Sequence, residues 1–379
     1  MPNPVYLDNN ATTPLAPPVL DAMRNALEIF GNPSSVHAIG KPAREIVASA
    51  RDSVAKLIGA NASEIVFTSG GTESDNWAIF GALESQQSKN HIVTTRVEHE
   101  AVRKVCEKLG SLGDHVTWLE VDNKGRLDLD QLRDSLNAAT AIVSVMMANN
   151  ETGVIFPIED ISKIVKENSH ALFHVDAVNA AGKMPIDVKK MGIDLLSISA
   201  HKFYGPKGVG ALYIREGLNL PPIQLGGGQE RGMRAGTEAV HQIAGLGAAA
   251  AYASDLSQMN NVRRLRDTLE TGILERFDIA SVNGDTDRRL PNTANISFEG
   301  LNGEMIMHHL DEAGICVSTG SACNSESKVS SPVLAAMDVP YTKAMGSIRF
   351  SLGRMNTNDE VVRTLSILEE IVRNLRNIT

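Results

Sequence analysis

The sequence predicts an α/β fold with a mostly parallel sheet, followed by a smaller α+β domain, and two observations lead to this prediction. Up to about Gly245, short β-rich apolar runs alternate with segments of helical periodicity. Continuous apolar strands of this kind are usually covered by helices on both faces. After Gly245 the rhythm changes to a long helical stretch and the strand-like runs TANISF and GICVST.

The strands predicted for the first part are the apolar runs EIVFTS, HIVTTR, AIVSVMMA, ALFHVDAV, DLLSISA and VGALYI. An apolar face predicts a helix from Lys41 to Ile58, which Gly59 ends, and another over roughly Asn358 to Asn377. The stretch AAAAYASDLSQMNNVRRLRDTLETGILERF is predicted to form one long helix that joins the two parts.

Composition and charge exclude several classes of protein. The chain has 379 residues, a formal net charge of -9 and no evident basic face, which argues against binding to nucleic-acid phosphates. No apolar stretch of about 18 residues predicts a membrane span, and the N-terminus lacks the regions of a secretory signal. Three cysteines do not make a disulfide framework. We therefore expect a protein of the cytoplasm.

Polar residues follow several of the predicted strands: Thr72, His99, Asn150, Asp176 and Lys202. Each alone has an ordinary explanation, such as a helix cap, a turn, a satisfied structural histidine or a lysine that reaches solvent. Ligands of open α/β sheets bind at the carboxyl ends of the strands. Because all of these residues fall at such ends, the sequence predicts a ligand site at one edge of the sheet.

The turn after the first strand, SGGTES, predicts a seat for a phosphate group. Gly70 and Gly71 free the backbone, and Thr72 is expected to cap the helix that begins there. The unpaired N–H groups of a helix start bind phosphate well. The turn matches neither GxGxxG nor GxxxxGK[ST], so dinucleotide-binding and P-loop sites are not expected.

A lysine, a carboxylate, a histidine and a phosphate seat together suit pyridoxal 5'-phosphate. Lys202 would form an imine with the cofactor, which avoids the cost of an isolated buried ammonium. Asp176 would keep the pyridine nitrogen protonated, so that the ring can accept electrons.

The three cysteines differ in their surroundings. Cys106 lies in a predicted helix and Cys316 in a predicted strand, and both are expected to pack as small apolar residues. Cys323 lies in STGSACNSESKVSSP, a run of small and polar residues that predicts an exposed loop. There it could act as a nucleophile or be an incidental surface thiol. Three arginines could capture a substrate carboxylate or simply be solvated: Arg231, Arg234 and Arg349.

Nearly the whole chain carries an ordered series of motifs: YLDNNATTP, GNPSSVH, SGGTESDN, VEHEAV, NNETG, HVDAVN, SAHKFYGPKGVG, RAGTE, GSAC and IRFSLG. In this series the chain resembles the cysteine desulfurases of the aminotransferase class-V group, and its STGSAC loop is similar to that of the NifS/IscS type. The resemblance implies the type I fold of pyridoxal phosphate enzymes, with a mostly parallel seven-stranded sheet covered by helices on both faces, plus a smaller α+β domain. Residues 15–250 would form the large domain, and residues 1–14 and 251–379 the small domain with the active cysteine loop.

The resemblance also implies roles for individual residues. Lys202 would be the Schiff-base lysine, Cys323 the sulfur acceptor, and His99 would stack on the ring and move protons. The implied cofactor-binding residues are Gly71, Thr72, His99, Asn150, Asp176, Asn179, Ser199, His201, Lys202 and, from the partner subunit of a homodimer, Thr237. Asn32 and Arg349 would bind the substrate carboxylate. No resident metal is implied, although a persulfide on Cys323 could transiently bind an iron–sulfur cluster.

One residue departs from the family pattern. Position 179 is Asn where the family usually has Gln, so its hydrogen bond to the phenolic oxygen of the cofactor would need a longer reach or a water.

The activity that the resemblance implies is conversion of L-cysteine to L-alanine, with transfer of sulfur to Cys323 as a persulfide. The sulfur would go to an acceptor protein, for iron–sulfur cluster assembly or other thio-cofactors. A selenocysteine lyase or an aminotransferase on the same fold is the alternative enzyme, and a sulfur-relay or scaffold protein is the non-enzymatic one. The GSAC loop favours the desulfurase over the aminotransferase, which has no use for an exposed thiol.

Overall fold

The computed structural model describes residues 4–319 and 331–378. Twelve strands are present in this part of the chain: β1 (Val5–Tyr6), β2 (Ile65–Thr68), β3 (His91–Thr95), β4 (His115–Leu119), β5 (Thr140–Ser144), β6 (Leu172–Asp176), β7 (Leu195–Ser199), β8 (Gly210–Ile214), β9 (Ala280–Val282), β10 (Thr293–Phe298), β11 (Ile315–Cys316) and β12 (Ser347–Ser351). Seven of them form the main sheet, in the order β2-β8-β7-β6-β5-β3-β4. Only β8 runs against its neighbours in this sheet, so the predicted fold class is confirmed.

The same part of the chain contains twelve α-helices: α1 (Pro17–Leu27), α2 (Gly40–Ile58), α3 (Gly71–Ser85), α4 (Glu100–Leu112), α5 (Leu129–Ser135), α6 (Ile158–Asn168), α7 (Val240–Ser254), α8 (Gln258–Arg276), α9 (Gly303–Glu312), α10 (Pro332–Ala336), α11 (Tyr341–Ala344) and α12 (Asn358–Ile378). None of these helices is long and apolar enough to cross a membrane. The two amphipathic helices predicted from the sequence are α2 and α12, and Gly59 ends α2 in the left-handed conformation with φ of +71°.

Helices cover both faces of the main sheet because successive strand residues point to opposite faces. Ile92 of β3 and Ile142 of β5 pack with α3 and α4. Their neighbours in sequence, Val93 and Val143, belong to the larger core, which contains apolar residues of α2, α6 and α7. The loops at the carboxyl edge of the sheet therefore stand on a frame that is packed on two sides.

A second core lies around the three-stranded sheet β12-β10-β9. Ile296, Phe298 and Phe350 of this sheet are buried against apolar residues of α8, α9 and α12, and Val5 of β1 joins the same core. This separation of the cores supports the division into residues 15–250 and residues 1–14 with 251–379, which stays a prediction. Val333 and Leu334 of α10 belong to the first core although they are late in sequence.

The prediction of one long joining helix is wrong in one respect, because the helix is broken between α7 and α8. Asp255 leaves the helical conformation, with ψ of 101°, and its Oδ1 accepts a hydrogen bond of 2.9 Å from the backbone N–H of Ser257. Such local side-chain bonds compete with the helical ladder. Strand β4 was not predicted, since as an edge strand it is half-exposed and shows no continuous apolar run.

Candidate active site

A cavity of about 160 Å³ lies at the carboxyl ends of the parallel strands. The loops after β2, β3, β5, β6 and β7 all contribute to its lining. Of the residues predicted to bind a cofactor, it brings together Gly71, Thr72, His99, Asn150, Asp176, Asn179, Ser199, His201 and Lys202. Met146, Ala148 and Val178 complete much of the apolar lining.

The start of α3 forms one end of the cavity. Gly70 holds the cap position with φ of +155°, a backbone conformation that a side chain rarely allows. A Cβ on Gly71 would lie 2.5 Å from Cγ2 of Val178, so the chain needs glycine there. The expectation that Thr72 caps the helix is wrong, because Thr72 lies inside the first turn and the cap residue is Gly70. Gly71 and Thr72 of this turn line the cavity, and the first N–H groups of a helix have no partner within the helix, as a phosphate seat requires.

Asp176 ends β6 and is buried. Its Oδ1 accepts a hydrogen bond of 2.9 Å from the backbone N–H of Val178, so the carboxylate also orders the turn that follows. Burial raises the pKa of Asp176, and the neighbouring His99 and Lys202 oppose this effect. The carboxylate is thus strongly desolvated and suited to pairing with a protonated nitrogen.

His99 is the cap residue of α4. Its Nδ1 accepts a hydrogen bond of 3.1 Å from the backbone N–H of Ala101. Desolvation lowers the pKa of His99, while Asp176 raises it and Lys202 lowers it further. A neutral ring that accepts at Nδ1 carries its proton at Nε2. His99 therefore has a structural role as the cap of α4, and its Nε2–H remains as the group that the ring can donate to a ligand.

Lys202 lies in a short 3-10 turn, Ala200–Lys202, directly after β7. Its Nζ donates hydrogen bonds to the backbone oxygens of Asn10 at 2.5 Å and Ala11 at 3.1 Å. These carbonyls belong to the segment that follows β1. The N-terminal segment therefore holds the lysine at the cavity.

Two buried acids, Asp75 in the lining of the cavity and Glu98 next to His99 in sequence, were not predicted. Oδ1 of Asp75 has no hydrogen-bond partner among the described residues, although Nε2 of His174 lies 3.5 Å away. Burial, together with the nearby Asp176, raises the pKa of Asp75 well above its ordinary value. Burial also raises the pKa of Glu98 to about 8. The signal for Asp75 was its position one helical turn after Gly71, on the face that α3 turns toward the sheet.

Asn179 lines the cavity but its side chain is held by protein groups. Its Nδ2 donates to the backbone oxygen of Asn149 at 3.1 Å, and its Oδ1 accepts from Nζ of Lys183 at 2.8 Å. Burial and the nearby Lys202 lower the pKa of His201 to about 4, so the ring of His201 is neutral at neutral pH.

Several other candidates lie elsewhere. Thr237 and Asn32 are exposed and do not line the cavity, and Oδ1 of Asn32 accepts from the backbone N–H of Ser34. Arg349 is buried near Asn150, to whose backbone oxygen it donates at 3.1 Å, and it pairs with Asp8 at 2.7 Å. Two arginines serve the framework: Arg234 pairs with Glu73, and Arg231 donates to the backbone oxygens of Ser63 and Ile65.

The cysteines divide as follows. Cys106 is buried in α4, and burial raises the pKa of its thiol to about 12. Cys316 is half-buried in β11, and burial raises the pKa of its thiol as well. Neither is suited to act as a thiolate at neutral pH. Cys323 lies outside the described residues. Within residues 4–319 and 331–378 no group of three or more His, Cys, Asp or Glu is placed to hold a metal ion.

Comparison with known proteins gives one consistent result. The sequence model of the family described as aminotransferase class-V matches residues 5–364. A cysteine desulfurase of Nostoc sp. is 51% identical over 99% of this chain and 94% of that protein. The cysteine desulfurase NifS of Azotobacter vinelandii is 49% identical, again over 99% of this chain and 94% of that protein. The cysteine desulfurase IscS of Dictyoglomus turgidum is 48% identical over 100% of this chain and 97% of that protein.

Solved structures agree with these relatives. A structure described as a NifS-like protein superposes with a TM-score of 0.93 at 40% identity, and it covers 98% of this chain and 100% of that one. A NifS-like protein from Rickettsia africae superposes with a TM-score of 0.89 at 32% identity, with 98% and 100% covered. The chain therefore belongs to the aminotransferase class-V family, in its group of NifS/IscS-type cysteine desulfurases.

Proposed function

We propose that the chain is a pyridoxal phosphate-dependent cysteine desulfurase, which converts L-cysteine to L-alanine and passes the sulfur to its own Cys323. The observation that carries the proposal is the single cavity that joins Lys202, Asp176, His99 and the start of α3. The choice of substrate is supported by relatives named cysteine desulfurase that are about half identical over nearly the whole chain.

The residues around the cavity fit pyridoxal 5'-phosphate. The glycines at the start of α3 leave a cradle that a Cβ would fill, and a phosphate suits the N–H groups there. Ser199 borders this cradle, with its Cβ 3.6 Å from the place of a Cβ on Gly71. Asp176 offers a buried carboxylate for the pyridine nitrogen, and Lys202 offers the amine for the aldehyde carbon.

When bound, the cofactor supplies an electron sink for breaking bonds at the α-carbon of an amino acid. Lys202 would hold the cofactor and then move the proton of the α-carbon at Nζ. Asp176 would keep a proton on the ring nitrogen. His99 would lie against the ring and help proton transfer through Nε2. Arg349, whose guanidinium lies beside Asn150, would orient the substrate carboxylate. The same role for Asn32 stays a prediction from the resemblance, because Asn32 does not line the cavity.

Transfer of the sulfur needs no external oxidant or reductant. The Cys323 thiolate attacks the sulfur of the substrate, a sulfur–sulfur bond forms, and the carbon–sulfur bond breaks. The electron pair stays on the carbon fragment, which takes up protons and leaves as L-alanine. Cys323 keeps the sulfur as a persulfide, ready for transfer to an acceptor protein in iron–sulfur cluster or other thio-cofactor assembly.

We also propose a homodimer in which Thr237 reaches the cofactor phosphate of the partner subunit. The proposal is supported by large apolar side chains that are almost fully exposed: Phe30 at 86%, Val36 at 93% and Leu225 at 82%. Light scattering on the purified protein tests the homodimer, and a monomer at micromolar concentration would contradict it.

From the composition of the sequence we propose the cytoplasm as the location of the protein.

The test uses purified protein reconstituted with the cofactor and supplied with L-cysteine, and it measures alanine, sulfide and the visible absorbance. Lys202→Ala is expected to lose both the absorbance band and alanine production. Cys323→Ser is expected to keep the band and lose alanine production, whereas Cys316→Ser should behave as the unmodified protein. Alanine production by Cys323→Ser at the unmodified rate would reject the nucleophile, and transfer of amino groups to keto acids in place of sulfide release would favour an aminotransferase.

A further inference from the structure

A second lysine, Lys183, lies behind the cavity in the turns that follow β6. It is only 8% exposed. Its Nζ donates to Oδ1 of Asn179 at 2.8 Å and to Oδ1 of Asn10 at 3.2 Å. Within the described residues, no carboxylate forms an ion pair with it. A buried amine held by two amide oxygens is unusual, because a buried ammonium is commonly paired with an acid.

Asn10 connects Lys183 with Lys202. The backbone oxygen of Asn10 accepts from Nζ of Lys202 at 2.5 Å, and its side-chain Oδ1 accepts from Nζ of Lys183. Asn10 is itself fixed, since its Nδ2 donates to Oγ1 of Thr293 at 2.9 Å and its Oδ1 accepts from Asn292 at 2.9 Å. Both lysines line one further small cavity. The two amines are therefore held near each other by one rigid residue.

The charged groups around Lys183 and Lys202 favour one positive charge on these two amines together, not two. Burial, Lys202 and Arg349 all lower the pKa of Lys183. Arg349 is itself paired with Asp8. On the cavity side, Lys202 faces Asp176, His99 and His201. Like charges at short range in a desolvated site oppose each other's protonation.

We propose that Lys183 is a positioning residue that holds Asn10 and Asn179 and discourages a second positive charge on the nitrogen of Lys202. This inference rests on the proposed function, because it assigns Lys202 to the cofactor. The linkage is reciprocal: a neutral nitrogen on Lys202 removes one of the charges that lower the pKa of Lys183, and so favours a proton on Lys183, whose Nζ donates to two amide oxygens. A positive charge on Lys183 would therefore lower the pKa of the Lys202 nitrogen, so that this nitrogen takes up a proton only at lower pH.

The test is a pH titration of the visible absorbance of the cofactor-loaded enzyme, which needs no substrate. Lys183→Met and Lys183→Gln are expected to move the apparent pKa of the bound lysine nitrogen upward by about one pH unit, a tenfold change in proton affinity. Lys183→Arg should stay near the unmodified value. Lys190→Met, at an exposed lysine on the same segment, is the matched control and should cause no change.

The outcomes separate the two proposals. An unchanged titration in Lys183→Gln would overturn the inference, because glutamine keeps hydrogen-bonding groups and removes only the charge. If Lys183→Met does not fold, Lys183→Gln alone decides the question. Absence of any visible band in the unmodified enzyme after reconstitution would instead reject the proposed cofactor, and the inference with it.

Discussion

At the scale of the residue, three carboxyl groups lie at the cavity or beside it in surroundings that disfavour charge, and Asp75 and Asp176 are part of its lining. Asp75, Glu98 and Asp176 are all buried, and their mutual repulsion adds to the effect of desolvation. Oε1 of Glu98 accepts from Oγ1 of Thr95 and from the backbone N–H of Met146. Its Oε2 has no hydrogen-bond partner among the described residues. One carboxylate can pair with a cofactor nitrogen, so the other two are best kept protonated.

Glu98→Gln is expected to change how stability depends on pH. Burial raises the pKa of Glu98 from 4.5 to about 8, so the folded protein keeps a proton that the unfolded chain loses. The unmodified protein should therefore lose stability relative to the variant as pH rises from 4.5 to 8, by up to about 1.4 kcal/mol per pH unit. Below and above this window the difference should be constant. Denaturant unfolding at several pH values measures it.

The control for this experiment is Glu84→Gln, because Glu84 is exposed on α3. Its stability should follow that of the unmodified protein between pH 5 and 8. A constant difference between Glu98→Gln and the unmodified protein over this range would mean that Glu98 is ionised in the fold.

The polar residues at strand ends were accessible from the sequence, because their position follows from the run of apolar residues before them. Lys202, Asp176 and His99 are of this kind. Asp75, Glu98 and Lys183 were not found, because their roles depend on which way a helix or turn faces the sheet. Lys183 meets Asn10 across 173 positions of the chain, a contact that no local pattern can indicate.

At the scale of the element, the turn between β2 and α3 is the feature on which the proposed phosphate binding depends. Its position was predicted, and the identity of the cap residue was not, because two adjacent glycines can start a helix in more than one register. The break between α7 and α8 was missed for a related reason: the turn made by Asp255 competes with a sequence that otherwise favours helix.

Gly71→Ala is expected to weaken cofactor binding. The added Cβ would meet Val178 at 2.5 Å, and Val178 lines the cavity. Overpacking of this kind costs about 1 to 3 kcal/mol, which, if it falls on the bound state, corresponds to a loss of affinity of about 5-fold to 150-fold. Titration of the apoprotein with the cofactor, followed by absorbance, measures the change.

Gly110→Ala in α4 serves as the control, since its Cβ would meet only Val116 at an ordinary 3.5 Å. It should leave cofactor affinity unchanged. Equal affinities of Gly71→Ala and the unmodified protein would remove the start of α3 from the phosphate site.

At the scale of the whole molecule, the N-terminal segment joins the two cores. Val5 and Leu7 lie in the second core, and a few residues later Thr13 accepts from the backbone N–H of Tyr204 and donates to the oxygen of His201, next to Lys202. The two parts of the chain were predicted from their different patterns of apolar residues, which change after about Gly245. The sequence did not predict that the N-terminal segment contacts both cores, because a short segment without helical or strand periodicity does not indicate where it packs.

The most direct test of the account is the location of the transferred sulfur. Cofactor-loaded protein is mixed with L-cysteine without an acceptor or a reductant, and intact and digested protein is analysed by mass spectrometry. Each chain is expected to gain one sulfur atom, on the peptide that contains Cys323, with one L-alanine released. Alanine formed in equal amount with no sulfur on Cys323, or with the sulfur on Cys106 or Cys316, would contradict it.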